Sequence, residues 1–296
     1  MNKYLIFRTD RIGDFLLSAI IIRSIKINDP ESHLTVVASE KNYNYIKSFN
    51  SVHDVILLNN NFKDKIKLIL QLRKNTYQNI ILHDNKKRSR FISFFLKAKN
   101  IISIKKFSDK SHIEIIKKII YDLNYEFNNS FLNTLEEKEE SSFNHTNFIQ
   151  LHFDEKWENN NYIKHFVDIE PTENQLSDFL DLLISQTSKK IIITTGLVAP
   201  KVLKNVINKK NSKNILFFKD LDFLELENIV IKSDILITCH GSISHLAAAK
   251  QIKQLDIIDE SYNYSRWTEH FRNYNFIYRT NFSNLANKIM EKLRNF

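Results

Sequence analysis

Tyr4-Leu5-Ile6-Phe7 is a run of four apolar residues ended by Arg8, and by Asp14 the apolar pattern has changed its period. A strand that is apolar at every position is one buried on both faces. Phe15, Leu16, Ala19, Ile22 and Ile25 then recur at helical spacing to about Ile27. A buried strand leading directly into a helix predicts a parallel sheet with crossover helices. The turn between them holds Gly13, one of three glycines in the chain, and the charges Arg8, Asp10, Arg11 and Asp14. In open α/β sheets ligands bind at such carboxyl ends of strands. Asp14 is expected to cap the helix, where a carboxylate meets exposed backbone N–H groups. A cap alone would leave Arg8, Asp10 and Arg11 without a purpose.

The alternation continues through 296 residues, enough for two domains. Strands are expected at 34–38, 55–58, 80–83 and 101–104, and helices at 62–74, 91–97 and 113–123. Residues 124–147 are polar and aperiodic, include Glu136-Glu137-Lys138-Glu139-Glu140, and read as a linker. Beyond them strands are expected at 148–151, 191–193, 215–218, 235–237 and 255–258, the last closing the sheet. Thr172-x-x-Gln175 and Asp222-x-x-Glu225 are capping boxes for two helices. A helix follows at 246–250, and Ser283 is expected to cap a last amphipathic helix to Arg294. This divides the chain into domains at 1–140 and 146–280, with a terminal helix, 281–296, expected to pack back on the first domain.

Residues 1–123 carry 23 Lys and Arg against 11 Asp and Glu, whereas the remainder is slightly acidic. A basic half suits an anionic partner (nucleic acid, a phospholipid surface or an acidic glycan), and a solvated lysine-rich surface would look the same. Nucleic acid is disfavoured, because the aromatics do not interleave with the basic runs and no nucleic-acid motif occurs. No apolar run approaches the roughly 20 residues that span a bilayer, and no signal peptide is visible. The single cysteine, Cys239, excludes an internal disulfide and suits a reducing compartment. The ten histidines form no His-x-x-x-His pair and there is no cysteine pair, so no metal is expected.

Three loops follow strands and carry chemistry. Cys239-His240-Gly241-Ser242-Ile243-Ser244-His245 leads from a strand into a helix, and its small residues expose N–H groups suited to phosphate. His152-Phe153-Asp154-Glu155-Lys156-Trp157 follows the first strand of the second half and supplies Lys156 as a compact cation. Lys86-Lys87-Arg88-Ser89-Arg90 follows a strand of the basic half, where arginine can hold a phosphate or carboxylate bidentately. Each has a plainer reading: a structural turn, a surface lysine, or a charged helix start.

The opening stretch resembles the amino-terminal signature of glycosyltransferase family 9, the ADP-heptose:lipopolysaccharide heptosyltransferases. Lys3, Arg-x-Asp-Arg-Ile-Gly-Asp and Asn28-Asp29-Pro30 match it, with Ala19-Ile20 where the family often has a proline. Ser244-His245-Leu246-Ala247-Ala248-Ala249 resembles the carboxy-terminal signature Asp-Thr-Gly-x-x-His-Leu-Ala-Ala, with His240 at the usual Asp and Ser242 at the usual Gly. Asp154-Glu155-Lys156-x-Trp resembles the family's Asp-Asp-Lys-x-Trp, and Arg88-Ser89 its Arg-Ser.

The resemblance implies a GT-B fold, with two Rossmann-like doubly wound domains facing a central cleft. It implies an inverting, metal-independent transfer of heptose or a related sugar from a nucleotide sugar, ADP-heptose in the family, with no other cofactor. The acceptor would be a lipopolysaccharide core, capsule or other surface glycan. Asp14 would be the general base. Lys156, Gly196, His240, Gly241, Ser242, Ser244 and His245 would hold the donor. Arg8, Asp10, Arg11, Gly13, Lys86, Arg88 and Arg90 would hold an anionic glycan or glycolipid. Such acceptors imply a cytoplasmic enzyme in peripheral contact with the inner membrane. A non-catalytic nucleotide-sugar or glycan binder of the same fold is the alternative, with a basic nucleic-acid-binding protein behind it.

Overall fold

The structure is a computed structural model and describes residues 1–59, 61–104, 110–135, 143–158, 165–210 and 212–296. The chain forms two compact units, Met1–Glu137 with Ser265–His270, and Lys138–Tyr264 with Phe271–Phe296. The acidic stretch at 136–140 lies outside the described residues.

In the first unit the elements alternate as β1 (Lys3–Arg8), α1 (Ile12–Asn28), β2 (His33–Ala38), α2 (Tyr43–Ile46), β3 (Asp54–Leu57) and α3 (Phe62–Leu72), then β4 (Thr76–Leu82), α4 (Lys87–Phe94), β5 (Lys97–Ser103) and α5 (His112–Asp122). All five strands are parallel, in the order β3-β2-β1-β4-β5. The chain reverses its winding between β1 and β4, so the loops after these strands meet at the switch point of the sheet. β1 is buried from Tyr4 to Arg8, and α1 is buried on nearly every side. Leu68 and Leu72 of α3 and Ile92 of α4 join Leu5, Phe7, Ile80 and Leu82 in one core cluster, so these two helices cover the same face of the sheet.

Several expectations need correction here. Arg11 is the N-cap of α1, and Asp14 is its third residue, with its carboxylate accepting from the Arg11 N–H at 3.3 Å. Gly13 is therefore in the helix rather than in the turn. α4 begins at Lys87, so the basic run forms its first turn. Of the proposed linker, residues 124–135 belong to the first unit: Phe131, Leu132 and Leu135 are buried, and Ser130 O accepts from Arg23 Nε at 3.1 Å.

The second unit runs β6 (Phe148–His152), α6 (Glu173–Thr187), β7 (Lys190–Thr194), α7 (Lys201–Lys209), β8 (Ile215–Phe218), α8 (Phe223–Val230), β9 (Ile235–Cys239), α9 (Ser242–Lys250) and β10 (Lys253–Ile258). After α10 (Ser265–Thr268), which counts with the first unit, come β11 (Tyr274–Tyr278) and α11 (Phe282–Arg294). Six parallel strands lie in the order β11-β10-β9-β6-β7-β8, with the switch point between β6 and β9. β10 does not close the sheet, because β11 pairs along its outer edge. Both expected capping boxes are formed, at Thr172 and Asp222. Asn281 rather than Ser283 caps α11, accepting from Asn284 N–H at 3.0 Å. Leu285, Ala286, Ile289 and Met290 of α11 sit in the second unit's own core with Leu176 and Leu180.

α10 ties the segment 265–270 to α5. The Trp267 and His112 rings lie 3.9 Å apart. Burial, with Arg8 and Arg266 nearby, lowers His112 to about 4, and burial with His112 nearby lowers His270 to about 4. Burial and then Arg8 hold His83 well below the ordinary value too, with its Nδ1 2.6 Å from Ser18 Oγ. Each of these histidines binds a proton more readily in the unfolded chain, at about 6.5, than in the folded one. Stability is therefore complete above about pH 6.5 and is lost as the pH falls from there towards 4. The melting temperature is expected to drop by several degrees between about pH 7.5 and pH 5 in calorimetry, and the drop to shrink in His270→Gln.

Candidate functional site

At the switch point of the first sheet, the loop after β1 lies against the loop after β4. Asp84, buried at the end of β4, joins them: its Oδ2 accepts from Thr9 Oγ1 and from Ser89 Oγ, each at 2.6 Å, and its Oδ1 accepts from Lys86 N–H at 3.2 Å. Arg88 Nη2 donates to Thr9 O at 3.1 Å and to Thr9 Oγ1 at 2.8 Å. Lys86 Nζ donates to Thr9 O at 2.6 Å and pairs with Asp10. Asn85 takes φ 49° in this turn, a conformation that asparagine tolerates.

Arg8 is 4% exposed and points inward rather than to a ligand. Its Nη1 donates to His83 O at 2.6 Å, its Nε to Asp14 O at 2.8 Å, and its Nη2 stands 3.4 Å from Asp14 Oδ1. A buried guanidinium with several acceptors is a rigid brace. Here it sets the start of α1 and the position of the Asp14 carboxylate.

Above this brace is a pocket of about 460 Å³ whose lining includes Asp10, Arg11, Asp14, Ser39, Lys86 and Arg88. The structure thus brings four of the sequence-marked residues of this unit, Asp10, Arg11, Lys86 and Arg88, together around Asp14. Arg8 and Gly13 lie outside the lining, and Arg90 turns to its own loop, donating to Asn85 O at 3.0 Å and Oδ1 at 2.8 Å. The sequence reading missed Asp84, a buried carboxylate whose role depends on a strand neighbour 75 residues away.

The second unit repeats this geometry with different chemistry. The loops after β6 and β9 meet at its switch point. Lys156 Nζ pairs with buried Asp154 and stands 3.0 Å from where a Cβ on Gly241 would be. Gly196 approaches the same loop, since a Cβ there would lie 3.0 Å from Glu155 Oε2 and 3.7 Å from Asp154 Cβ. Two of the three glycines are therefore explained by close approach to the segment 154–156, and neither has a left-handed backbone. Burial would raise Asp154 and lower Lys156, but their mutual attraction wins for both. The carboxyl lies well below its usual range and the ammonium above its own.

Around this pair the other marked residues gather. His240 Nδ1 is 2.7 Å from Asp256 Oδ2, and Ser244 Oγ donates to Asp256 Oδ1 at 2.8 Å while accepting from Gly241 N–H at 3.2 Å. Asp256 comes from β10 and is fully buried, so an acid supports the loop at which His240 stands in place of the family aspartate. The His245 ring lies 5.6 Å from that of His240. Arg279, just past β11, donates to Lys156 O at 3.1 Å and to Val167 O at 2.8 Å. Asp256 and Arg279 escaped the sequence reading, and Asp154 stands in it only as part of the Lys156 loop, without a role of its own. Only Asp154 carried a signal, its place beside Lys156. Trp157 is core: it stacks on Phe153 and donates to His152 O at 2.9 Å. Burial pushes the Cys239 thiol up to about 12, so it is inert at neutral pH.

Asp220 and Asp222, spaced as in metal-binding Asp-x-Asp pairs, stand at the start of α8, where Asp222 accepts from Leu224 and Glu225 N–H at 2.8 Å. Among the described residues no group of three or more His, Cys, Asp or Glu side chains is placed to hold a metal ion.

No protein-family model and no curated protein matches this chain. Solved structures do. E. coli heptosyltransferase WaaC with ADP superimposes with a TM-score of 0.76 over 99% of both chains at 12% identity. This likeness shows the fold: a two-domain, Rossmann-like GT-B architecture. E. coli ADP-heptose lps heptosyltransferase II is similar, with a TM-score of 0.73 and 13% identity over 99% of this chain and 98% of that one. So is a glycosyl transferase family 9 protein from Veillonella parvula, with a TM-score of 0.73 and 12% identity over 98% and 91%. The structural neighbours thus include the family whose loop motifs the sequence resembles.

The Asp154–Lys156 pair gives this site a direct test. Asp154→Asn leaves a largely buried ammonium without its counter-charge and is expected to cost about 3–5 kcal/mol in urea unfolding. Asp154→Asn combined with Lys156→Gln is expected to recover most of that loss. A double-variant loss equal to the sum of the two single-variant losses would show that the two charges are not coupled.

Proposed function

We propose that this chain is an inverting, metal-independent glycosyltransferase. It would move a sugar, heptose or a related one, from a nucleoside diphosphate sugar to an anionic glycan or glycolipid of lipopolysaccharide-core or capsule type. The observation that carries the reading is the convergence at the second switch point. Segments 154–156, Gly196 and 240–245, far apart in sequence, meet around one lysine beside the N-terminus of α9. A cation beside the positive end of a helix dipole forms a setting for a diphosphate. Solved heptosyltransferase structures with ADP and with an ADP-heptose analogue support a nucleotide-sugar donor, with adenine as the first base to try.

The reaction is displacement at the anomeric carbon. An acceptor hydroxyl oxygen bonds to that carbon on the face opposite the diphosphate, and the bond from carbon to phosphate oxygen breaks. Asp14, held by Arg8 and by Arg11 N–H, accepts the hydroxyl proton as general base. Lys156 and the backbone N–H and hydroxyl of Ser242 stabilise charge on the departing diphosphate, while Ser244, whose hydroxyl donates to the buried Asp256 and accepts from Gly241 N–H, holds the loop with His240 rather than touching the donor. His245, in the first turn of α9, serves the same loop. In the first unit Arg11, Lys86 and Arg88 give the pocket cations for the phosphates or carboxylates of an acceptor, with Asp10 setting Lys86.

A thermal-shift panel of nucleoside diphosphates in the presence of a chelator tests the donor half. One nucleotide is expected to raise the melting temperature, and Lys156→Gln to remove the shift. Asp14→Asn is expected to keep the shift while lowering kcat by about 10²–10⁴-fold, read as nucleoside diphosphate release with acceptor. A shift without turnover in the native enzyme would support a non-catalytic binder, and no shift with any nucleotide would remove the donor reading.

A further inference from the structure

α3 and α4 cover the same face of the first sheet, and their outer surfaces are unusual for a protein in water. Phe62, Ile66 and Leu70 recur every four residues along α3 and are exposed. Phe91 and Phe94 continue the apolar surface on α4 with Phe95 at its end, and the Phe95 ring lies 5.2 Å from that of Phe91 and 5.4 Å from that of Phe94. Phe62 is 66% and Phe94 82% exposed, so these are whole side chains in solvent rather than core edges. Exposed apolar side chains gathered on one face in this way mark an interaction site.

The charges around it decide the partner. Residues 62–74 and 86–99 contain eleven Lys and Arg, of which Lys86 and Arg88 turn to the Asp14 pocket, and one acid, Asp64, which is hydrogen-bonded to Asn59 and Asn61. On α4, Lys87 and Arg90 are each four residues before an exposed phenylalanine, Phe91 and Phe94. Protein interfaces are depleted in lysine at their centres. Single-stranded nucleic acid is bound in grooves with stacking rings, whereas Ile66 and Leu70 offer no stacking plane. Phenylalanine, leucine and isoleucine flanked by lysine and arginine on helices lying in a plane suit the headgroup layer of an anionic bilayer. Among the described residues no helix is long and apolar enough to cross a membrane, so the contact would be superficial.

We infer that the α3–α4 face docks on the surface of an anionic phospholipid bilayer. Its place relative to the Asp14 pocket gives the contact a use. Leu58 and Asn59 line the pocket shortly before α3, and Lys86 lines it as the N-cap of α4. A chain seated by this face therefore holds the pocket at headgroup level, where a lipid-linked acceptor would present its glycan. Only that use rests on the transferase reading, because the docking itself is read without donor or acceptor.

Vesicle flotation tests it. The protein is expected to float with phosphatidylcholine vesicles containing phosphatidylglycerol, not with phosphatidylcholine alone, and to be released by high salt. Phe91→Ser with Phe94→Ser, and separately Lys63→Glu with Lys87→Glu, are each expected to lower binding by about tenfold or more. Lys204→Glu with Lys288→Glu, in the second unit, is expected to leave it unchanged. Circular dichroism melts matching the parent's show that each variant is folded. The inference fails if the parent protein does not float with anionic vesicles, or if neither face variant lowers binding. It fails equally if the face variants instead abolish a dimer in sedimentation velocity, or binding to an oligonucleotide, while vesicles are not bound.

Discussion

A parallel strand covered on both faces has no polar outlet except at its ends, and both halves of this molecule are built from such strands. β1 and β6 are buried along their length and sit where the winding reverses. The two loops leaving each switch point must therefore meet, and whatever polar residues they carry must satisfy one another there. Thr9 meets Asp84 for this reason, and Lys156 meets Gly241. The candidate sites follow from the same constraint that makes the sheets stable.

The charges at these two points are largely spent on each other. Arg8 is buried against the start of α1, Lys86 pairs with Asp10, and Lys156 pairs with Asp154. A buried charge left unpaired would cost more than the fold could absorb, whereas a paired one fixes geometry at little net gain. The result is preorganisation: Asp14 and the Gly241 loop are held in place before any ligand arrives, and that is what electrostatic stabilisation of a leaving group requires. The outer face of α3 and α4 differs in kind. Along these two helices Asp64 is the one acid, and Phe62 and Phe94 stand mostly in solvent.

The departures from the sequence reading have physical causes. Asp14 is the third residue of α1 because helix starts are set by the cap geometry that Arg11 adopts, which local pattern places only to within a few residues. β11 went unread because an edge strand, Tyr274–Tyr278, need only be apolar on one side, and its aromatics give no strict alternation. The return of Ser265–His270 to the first unit depends on the Trp267–His112 contact, between residues 155 positions apart. The aromatics and cations that seem separate along the chain interleave on α3 and α4 once each is wound at 3.6 residues per turn.

By itself the sequence determined the two-domain α/β plan, because strands buried on both faces and helical apolar periods are written locally. It also marked the loops that the fold then brings together, since charge and glycine stand out after a buried strand. Only the tertiary structure decided what those loops do to one another. It made Arg8 a brace, paired Lys156 with Asp154, brought Asp256 under His240 from the next strand, and left Arg90 outside the pocket. Each of these turns on a distance between side chains remote in sequence or on a turn's detailed geometry, and the register of a parallel sheet sets such distances without leaving a trace in local pattern.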